Sequence, residues 1–237
     1  MCGRYANFLT EQDLIDAFEV AVASDEARLL PPSWNIAPTQ RVPIVVPSRE
    51  PAPVGERQLE IARWGLVPSW AKDPAVGSRM FNARSETMAE KPSFRAAFAK
   101  RRCVVPASGY YEWQTKDDGK HPFFIHPTDD APLAFAGLYE FWRGSVNADG
   151  SEGDDAPWMA SCSIVTVASR DEMQDIHDRQ PAMLTPESAA TWLDREAPAS
   201  DLHDAIAAPA PELAWHEVGR AVGNVRNNDE SLVAPVG

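Results

Sequence analysis

Apolar positions recur along this chain with two different periods. Thr10 followed by Asp13 reads as a capping box, and Leu14, Ile15 and Phe18 form one apolar face, so a helix is predicted at about 11–23. Leu30-Pro31-Pro32 breaks the chain, and the stretch 33–39 is too rich in proline for a helix and reads as a loop. Alternation then takes over. Arg41–Val46 and Gln58–Leu66 read as strands, the second with Leu59, Ile61 and Arg63 on one face and Glu60, Ala62 and Trp64 on the other. Trp64 to Trp70 leads into a second loop. Phe81–Met88 is short and polar and reads as a helix start, and Ser93–Lys100 reads as a helix with Phe94 and Phe98 on one side. Strands follow at Arg102–Val105, Gly109–Gln114, Pro122–Ile125, Leu133–Trp142 and Ser161–Ala168, with a hairpin signal at Asp117-Asp118-Gly119. Thr185-Pro186 starts a helix, Ser200 is the expected cap of another, and Leu213–Val218 is the last strand.

Strands outnumber helices and do not alternate with them, which argues against a doubly wound parallel sheet. The fold class expected is α+β: a single domain over 1–237, with a strongly curved, mainly antiparallel, barrel-like sheet and peripheral helices. Residues 144–157 are rich in Gly, Asp and Ser without apolar period and read as an acidic loop insert.

Composition narrows the function. At 237 residues and 44% hydrophobic content the chain is long enough for a real core. No apolar run approaches the about 18 residues of a membrane span, so no membrane partner is expected. The first residues lack the plan of a signal peptide, so a cytoplasmic protein is expected. Net charge is −13, with five lysines against seventeen arginines. Taken alone this opposes nucleic-acid binding, which is dominated by phosphate neutralisation. Residues 61–105, however, carry nine basic and three acidic side chains. Cys2, Cys103 and Cys162 make neither a disulfide framework nor a CxxC pattern, and the last two sit in apolar runs as expected core thiols. The histidines lack ligand spacing, so no metal is expected, and without a glycine-rich phosphate loop no cofactor is either.

The chemistry-bearing candidates are scattered. Cys2, once Met1 is removed, carries an α-amine beside a thiol. Such a 1,2-aminothiol adds to an aldehyde as a Schiff base and closes a thiazolidine, and it also serves as an N-terminal nucleophile. Glu112, among the aromatics of Gly109–Trp113, is either a half-buried acid/base or an edge-strand carboxylate in water. His177 is either an acid/base or a surface histidine paired with Asp178. Arg84 either binds phosphate or pairs with Glu86. Trp34 and Trp70 are either core plugs or platforms for unpaired bases.

The order of motifs is more specific than any one of them. MCGRY at the start, then WNIAPTQ, RWGLVPSWAKDP, FNARSET, RRCVVPASGYYEW, IVTVAS, IHDRQPAML and AVGNVRN together resemble the SOS-response-associated peptidase (SRAP) family of abasic-site sensors. The resemblance runs from Cys2 to about Arg226. It implies that Met1 is lost, by a self-directed peptidase step or a host aminopeptidase. Cys2 then crosslinks through a thiazolidine to the aldehyde of an abasic site in single-stranded DNA and shields the lesion. Carried over motif by motif, Cys2 is the nucleophile, Asn82 orients its amine and the sugar, Glu112 is the acid/base, and His177 assists ring opening of the deoxyribose. Arg4 and Arg84 would hold phosphates, Asn35 would line the pocket, and Trp70 would pack against flanking bases. Where some members have a second aromatic after Trp70, Ala71 stands here, which reduces a two-ring wedge to one. The partner implied is single-stranded DNA containing an abasic site, bound by a monomer that is nucleoid-associated when on DNA.

Two rival readings remain at this point. An N-terminal-nucleophile glutamine amidotransferase also begins Met-Cys-Gly, but its Asn-Gly pair and Arg-Gly-Asp-type loop are missing here. A single-stranded DNA-binding module without covalent chemistry would use Trp70 and the arginines alone.

Overall fold

The computed structural model describes residues 2–48, 56–144, 158–209 and 211–236. In chain order these form β1 (Tyr5–Asn7), α1 (Glu11–Phe18), β2 (Val20–Ala23), α2 (Asp25–Arg28), β3 (Ser33–Ile36), β4 (Arg41–Pro47) and β5 (Arg57–Trp64). Next come β6 (Asn82–Arg84), α3 (Arg95–Lys100), β7 (Arg102–Ala107), β8 (Gly109–Lys116), β9 (Gly119–Pro127) and β10 (Leu133–Arg143). The chain ends through β11 (Trp158–Ala168), β12 (Arg179–Pro181), α4 (Pro186–Leu193), α5 (Ala199–Ala207) and β13 (Leu213–Glu217).

Five strands close on themselves. β5, β4, β7, β10 and β11 are successive antiparallel neighbours, and β11 returns to β5 in parallel through Ser161 opposite Arg63 and Cys162 opposite Trp64. Side chains on these strands alternate between two cores, as closure requires. Ile44, Trp64, Cys103, Val105, Phe135 and Cys162 fill the inside, where Cys103 and Cys162 are fully buried. Val45, Leu59, Val104, Leu138 and Val165 face outward onto Phe98, Trp192, Leu202 and Ile206 of the helices. A second sheet, β13-β9-β8-β1-β3, carries the first residues of the chain. The expected α+β architecture with a closed, mostly antiparallel barrel is therefore the observed one.

Local sequence explains most element ends. Thr10 and Asp13 make the reciprocal capping box of α1, and Thr185 caps α4 with Pro186 in its first turn. Asp117-Asp118 turns β8 into β9, and Gly119 takes φ 126°. Gly65, at φ 129°, lets the chain leave the barrel, because a Cβ there would sit 2.4 Å from the Gly77 carbonyl oxygen.

Four expectations are corrected. The first helix ends at Phe18 and not near 23, because Glu19 adopts φ 51° and Val20–Ala23 pairs with β5 as a strand. The stretch 33–39 is not all loop, since Ser33–Ile36 finds a partner in β1. Phe81–Met88 starts no helix, as Asn82–Arg84 pairs in parallel with β11. Ser200 lies inside α5, whose cap position is Pro198 without a side-chain cap. In the first three, pairing with a distant strand overrides local propensity. The acidic insert lies, but for Gly144, outside the described residues.

Candidate active site

β1 is where the first residues of the chain are held. Tyr5 sits opposite Tyr110 on one side and Ile36 on the other. Tyr111 N–H donates to the Arg4 carbonyl at 2.9 Å. A terminus stitched on both edges does not fray as free ends do. Cys2 accordingly has no exposed surface. Its carbonyl accepts a 2.8 Å hydrogen bond from Asn82 Nδ2, and its Sγ lies 4.0 Å from the Arg4 carbonyl oxygen.

Asn82 reaches Cys2 because β6 runs beside β11 with Asn82 opposite Ile164. Its Nδ2 is used on Cys2, while its Oδ1 is buried with no hydrogen-bond partner. Leaving a buried acceptor unsatisfied costs about 1–3 kcal/mol. Such an atom in a native structure calls for an explanation.

Glu112 stands on β8 opposite Phe123 and is 4% exposed, so the water-facing alternative is excluded. Burial pushes its carboxyl up to about 7. The Cys2 thiol is held well above its ordinary range, first by burial and next by the negative charge of Glu112. Thiol and carboxylate therefore share one space of low dielectric.

His177 completes the cluster, with Nε2 4.0 Å from Glu112 Oε2. Arg179 N–H donates to His177 Nδ1 at 2.9 Å, which places the proton of the neutral ring on Nε2, toward Glu112. The exposed Asp178 carboxylate also comes within 2.9 Å of Nδ1 and favours a protonated ring. Burial opposes it and wins, lowering the ring's pKa. A solvated carboxylate is a weak competitor for that proton. A narrow crevice lined by Tyr110, Glu112, Met173, His177 and Arg179, too tight to admit a water molecule, runs beside these groups. A groove of about 460 Å³ elsewhere, lined by Leu14, Leu30, Pro31 and Arg41, is roomier but holds none of the perturbed titratable groups. Chemistry, not volume, locates the site.

The remaining candidates divide. Arg4 Nη1 donates to Asn35 Oδ1 at 2.7 Å and to the Val222 carbonyl at 2.6 Å, and its guanidinium lies 6.0 Å from the Trp113 ring centroid. Asn35 is 1% exposed, and its Nδ2 faces the carbonyls of Val222, Asn224 and Asn227. Asn35 ties Arg4 to the 222–227 turn. Arg84 is exposed, opposite Thr166 on β11. Its alternative partner Glu86 pairs instead with Arg179, through contacts of 2.5 and 3.0 Å, which hold Glu86 down at about 2. Trp70 is 64% exposed, whereas Trp34 stacks on Phe8 at 6.0 Å as a plug. Arg179 and the 222–227 turn were missed as site-forming elements. The IHDR and AVGNVRN motifs contained the signal, but only the fold shows that Arg179 holds His177 and that the turn holds Asn35.

The chain is 35% identical over 236 residues to abasic site processing protein YoqW of Bacillus subtilis, covering 98% of this chain and 99% of that one. It is 33% identical over 245 residues to abasic site processing protein YedK of Escherichia coli, covering 100% of both. A solved protein structure from Bordetella bronchiseptica superposes with a TM-score of 0.73 at 26% identity, over 92% of this chain and 100% of that one. Another from Bacteroides thetaiotaomicron, at 22% identity and a TM-score of 0.81 over 99% and 100% of the two chains, shares the fold. The model of the SOS response associated peptidase (SRAP) family matches residues 1–225, and the chain belongs to that family.

Proposed function

We propose that this protein processes abasic sites in single-stranded DNA by crosslinking Cys2 to the lesion, after Met1 is removed by its own peptidase step or by an aminopeptidase. The observation that carries this reading is the burial of Cys2 against Asn82, Glu112 and His177 at the stitched-down start of the chain. A disordered terminal cysteine would have no such surroundings.

The acid–base balance sets the order of events. A thiol held above its ordinary range is a poor first nucleophile, because the thiolate is scarce. The α-amine, with a pKa of about 7.7–8.0, leads. Its lone pair attacks the C1′ aldehyde of the ring-opened deoxyribose, and the carbinolamine loses water to give a protonated imine. That cation, formed beside the thiol, lowers the thiol's pKa, and sulfur adds to the imine carbon while its proton passes to Glu112. The product is a thiazolidine, with the aldehyde oxygen leaving as water. A carboxyl near 7 takes and returns protons at neutral pH. His177, with its Nε2 proton toward Glu112, supplies the proton exchange for sugar ring opening. Asn82 fixes the Cys2 carbonyl and offers its buried Oδ1 to the amine or the sugar hydroxyl. Arg84 and the Arg4 edge meet phosphates, and Trp70 stacks on a neighbouring base.

The test is a denaturing gel of mature protein with single-stranded DNA bearing an abasic site. A band that survives denaturation in wild type but not in Cys2→Ala supports the crosslink. Intact binding without that band sinks it.

A further inference from the structure

Tyr110 is a buried phenol in the wall of the site. It stands two residues before Glu112 on β8, so the two side chains point to one face, and they are 1% and 4% exposed. Both line the narrow crevice together with His177. The Tyr110 ring is fixed, because Tyr5 and Ile125 flank it across the sheet and Phe135 meets it edge to face at 6.0 Å. Its hydroxyl is held only loosely. The O–H donates to Met173 Sδ at 3.8 Å, and a thioether is a weak acceptor. Tyr111, the next residue, is the contrast. It packs on the other face of the sheet, and its O–H is committed to the Trp34 carbonyl at 2.7 Å.

Closing a thiazolidine needs a path for the proton of the thiol. Cys2 Sγ makes its hydrogen bond to the Arg4 carbonyl at 4.0 Å, and Glu112 acts on the thiol as a charge without bonding it. The crevice beside them admits no water molecule, so water does not carry the proton through it. The Tyr110 oxygen feels both ends of the path. Burial lifts its phenol well above the ordinary range, and the negative charges of an ionised Cys2 and then of Glu112 lift it further. The Tyr5 phenol is a poorer candidate. The Cys162 sulfur inside the barrel weighs on it more than Cys2 does, and it lines no part of the crevice.

We propose that Tyr110 is the proton relay between the Cys2 thiol and Glu112 when the thiazolidine closes. The inference rests on the crosslinking reading of Cys2. As sulfur bonds the imine carbon, the C=N electron pair moves to nitrogen. The S–H proton passes to the Tyr110 oxygen while the Tyr110 O–H proton passes to the Glu112 carboxylate. The phenol ends neutral, as it began, which is the form its burial favours.

Two bands on a denaturing gel separate the steps. Cyanoborohydride reduces the imine and traps it as a band that needs no ring closure. Without reductant, a band that survives methoxyamine reports the thiazolidine, since methoxyamine captures the aldehyde released from a reversible imine. The mature full chain is mixed with single-stranded DNA bearing an abasic site. Tyr110→Phe is expected to form the trapped band at the wild-type rate and the methoxyamine-resistant band on the order of tenfold more slowly. Adding Tyr110→Phe to Glu112→Gln is expected to slow closure no further, because two parts of one path are not additive. Tyr111→Phe is expected to lower the melting temperature and to leave both bands at the wild-type rate. The relay is overturned by a Tyr110→Phe chain that melts well below wild type, or that slows both bands alike. A loss that multiplies with that of Glu112→Gln overturns it too. Wild type that forms both bands while Tyr110→Phe equals it refutes the relay alone. Wild type that forms neither band refutes the Cys2 chemistry, and the relay falls with it.

Discussion

Three cysteines are fully buried in this protein, and only one of them sits where chemistry is possible. Cys103 and Cys162 lie inside the barrel, and burial lifts both thiols far above their ordinary range. Cys2 is as deeply buried and its thiol is lifted too, but its next cause is a carboxylate, and its carbonyl is held by an amide. Burial alone makes a thiol inert. The buried Tyr5 phenol lies near all three thiols, so the difference is the set of Glu112, Asn82 and His177 gathered around Cys2. The protein uses the same core packing to silence two thiols and to immobilise a third.

The strongest way to break this comparison is to exchange the cysteines' fates. Cys2→Ala is expected to abolish the denaturation-resistant band completely. Cys103→Ala and Cys162→Ala are expected to keep it and to lose about 1–3 kcal/mol of stability instead, read as a lower melting temperature. Crosslinking that survives in Cys2→Ala and vanishes in Cys162→Ala would reverse the assignment.

Glu112→Gln comes next. It is expected to slow crosslinking on the order of 10²-fold and to remove the inflection near pH 7 from the rate profile, where wild type rises as the carboxylate becomes able to accept the proton. Stability moves the other way. The folded carboxyl titrates at about 7 against 4.5 when unfolded, so wild-type stability is highest below 4.5 and falls as pH rises through 7. That interval is worth roughly 3 kcal/mol, so Glu112→Gln is expected to melt higher than wild type at pH 8 and alike at pH 4. Equal melting differences at both pH values would show that burial does not raise the Glu112 carboxyl.

Much of this was legible before any coordinates. Alternation marked the five barrel strands, and motif order marked Cys2, Asn82, Glu112 and His177. What periodicity does not carry is the partner. β2, β3 and β6 are three or four residues long and exist because β5, β1 and β11 complete their hydrogen bonds. Asn35 illustrates the same limit within the site: its motif is visible, yet its three carbonyl partners lie about 190 positions away. Local charge also misleads. The basic excess of 61–105 includes Arg102, which is 3% exposed and spends its guanidinium on the carbonyls of Trp192, Phe98, Ala99 and Asp194.

Arg102 and Arg84 therefore give the finest test of inside against outside, because one segment supplies both. Arg84 is exposed at the Thr166 end of β11, on the same short strand as Asn82. Arg84→Gln is expected to weaken binding to single-stranded DNA a few-fold at moderate salt and to reduce the salt slope by about 0.7, one phosphate's worth for a single strand. Stability is expected to stay within about 0.5 kcal/mol. Arg102→Gln is expected to do the reverse. It strips donors from buried carbonyls and lowers the melting temperature, while the salt slope of the folded fraction stays unchanged. A salt slope that falls in Arg102→Gln and holds in Arg84→Gln would place the phosphate contact on the wrong arginine, and with it the path of the strand past Cys2.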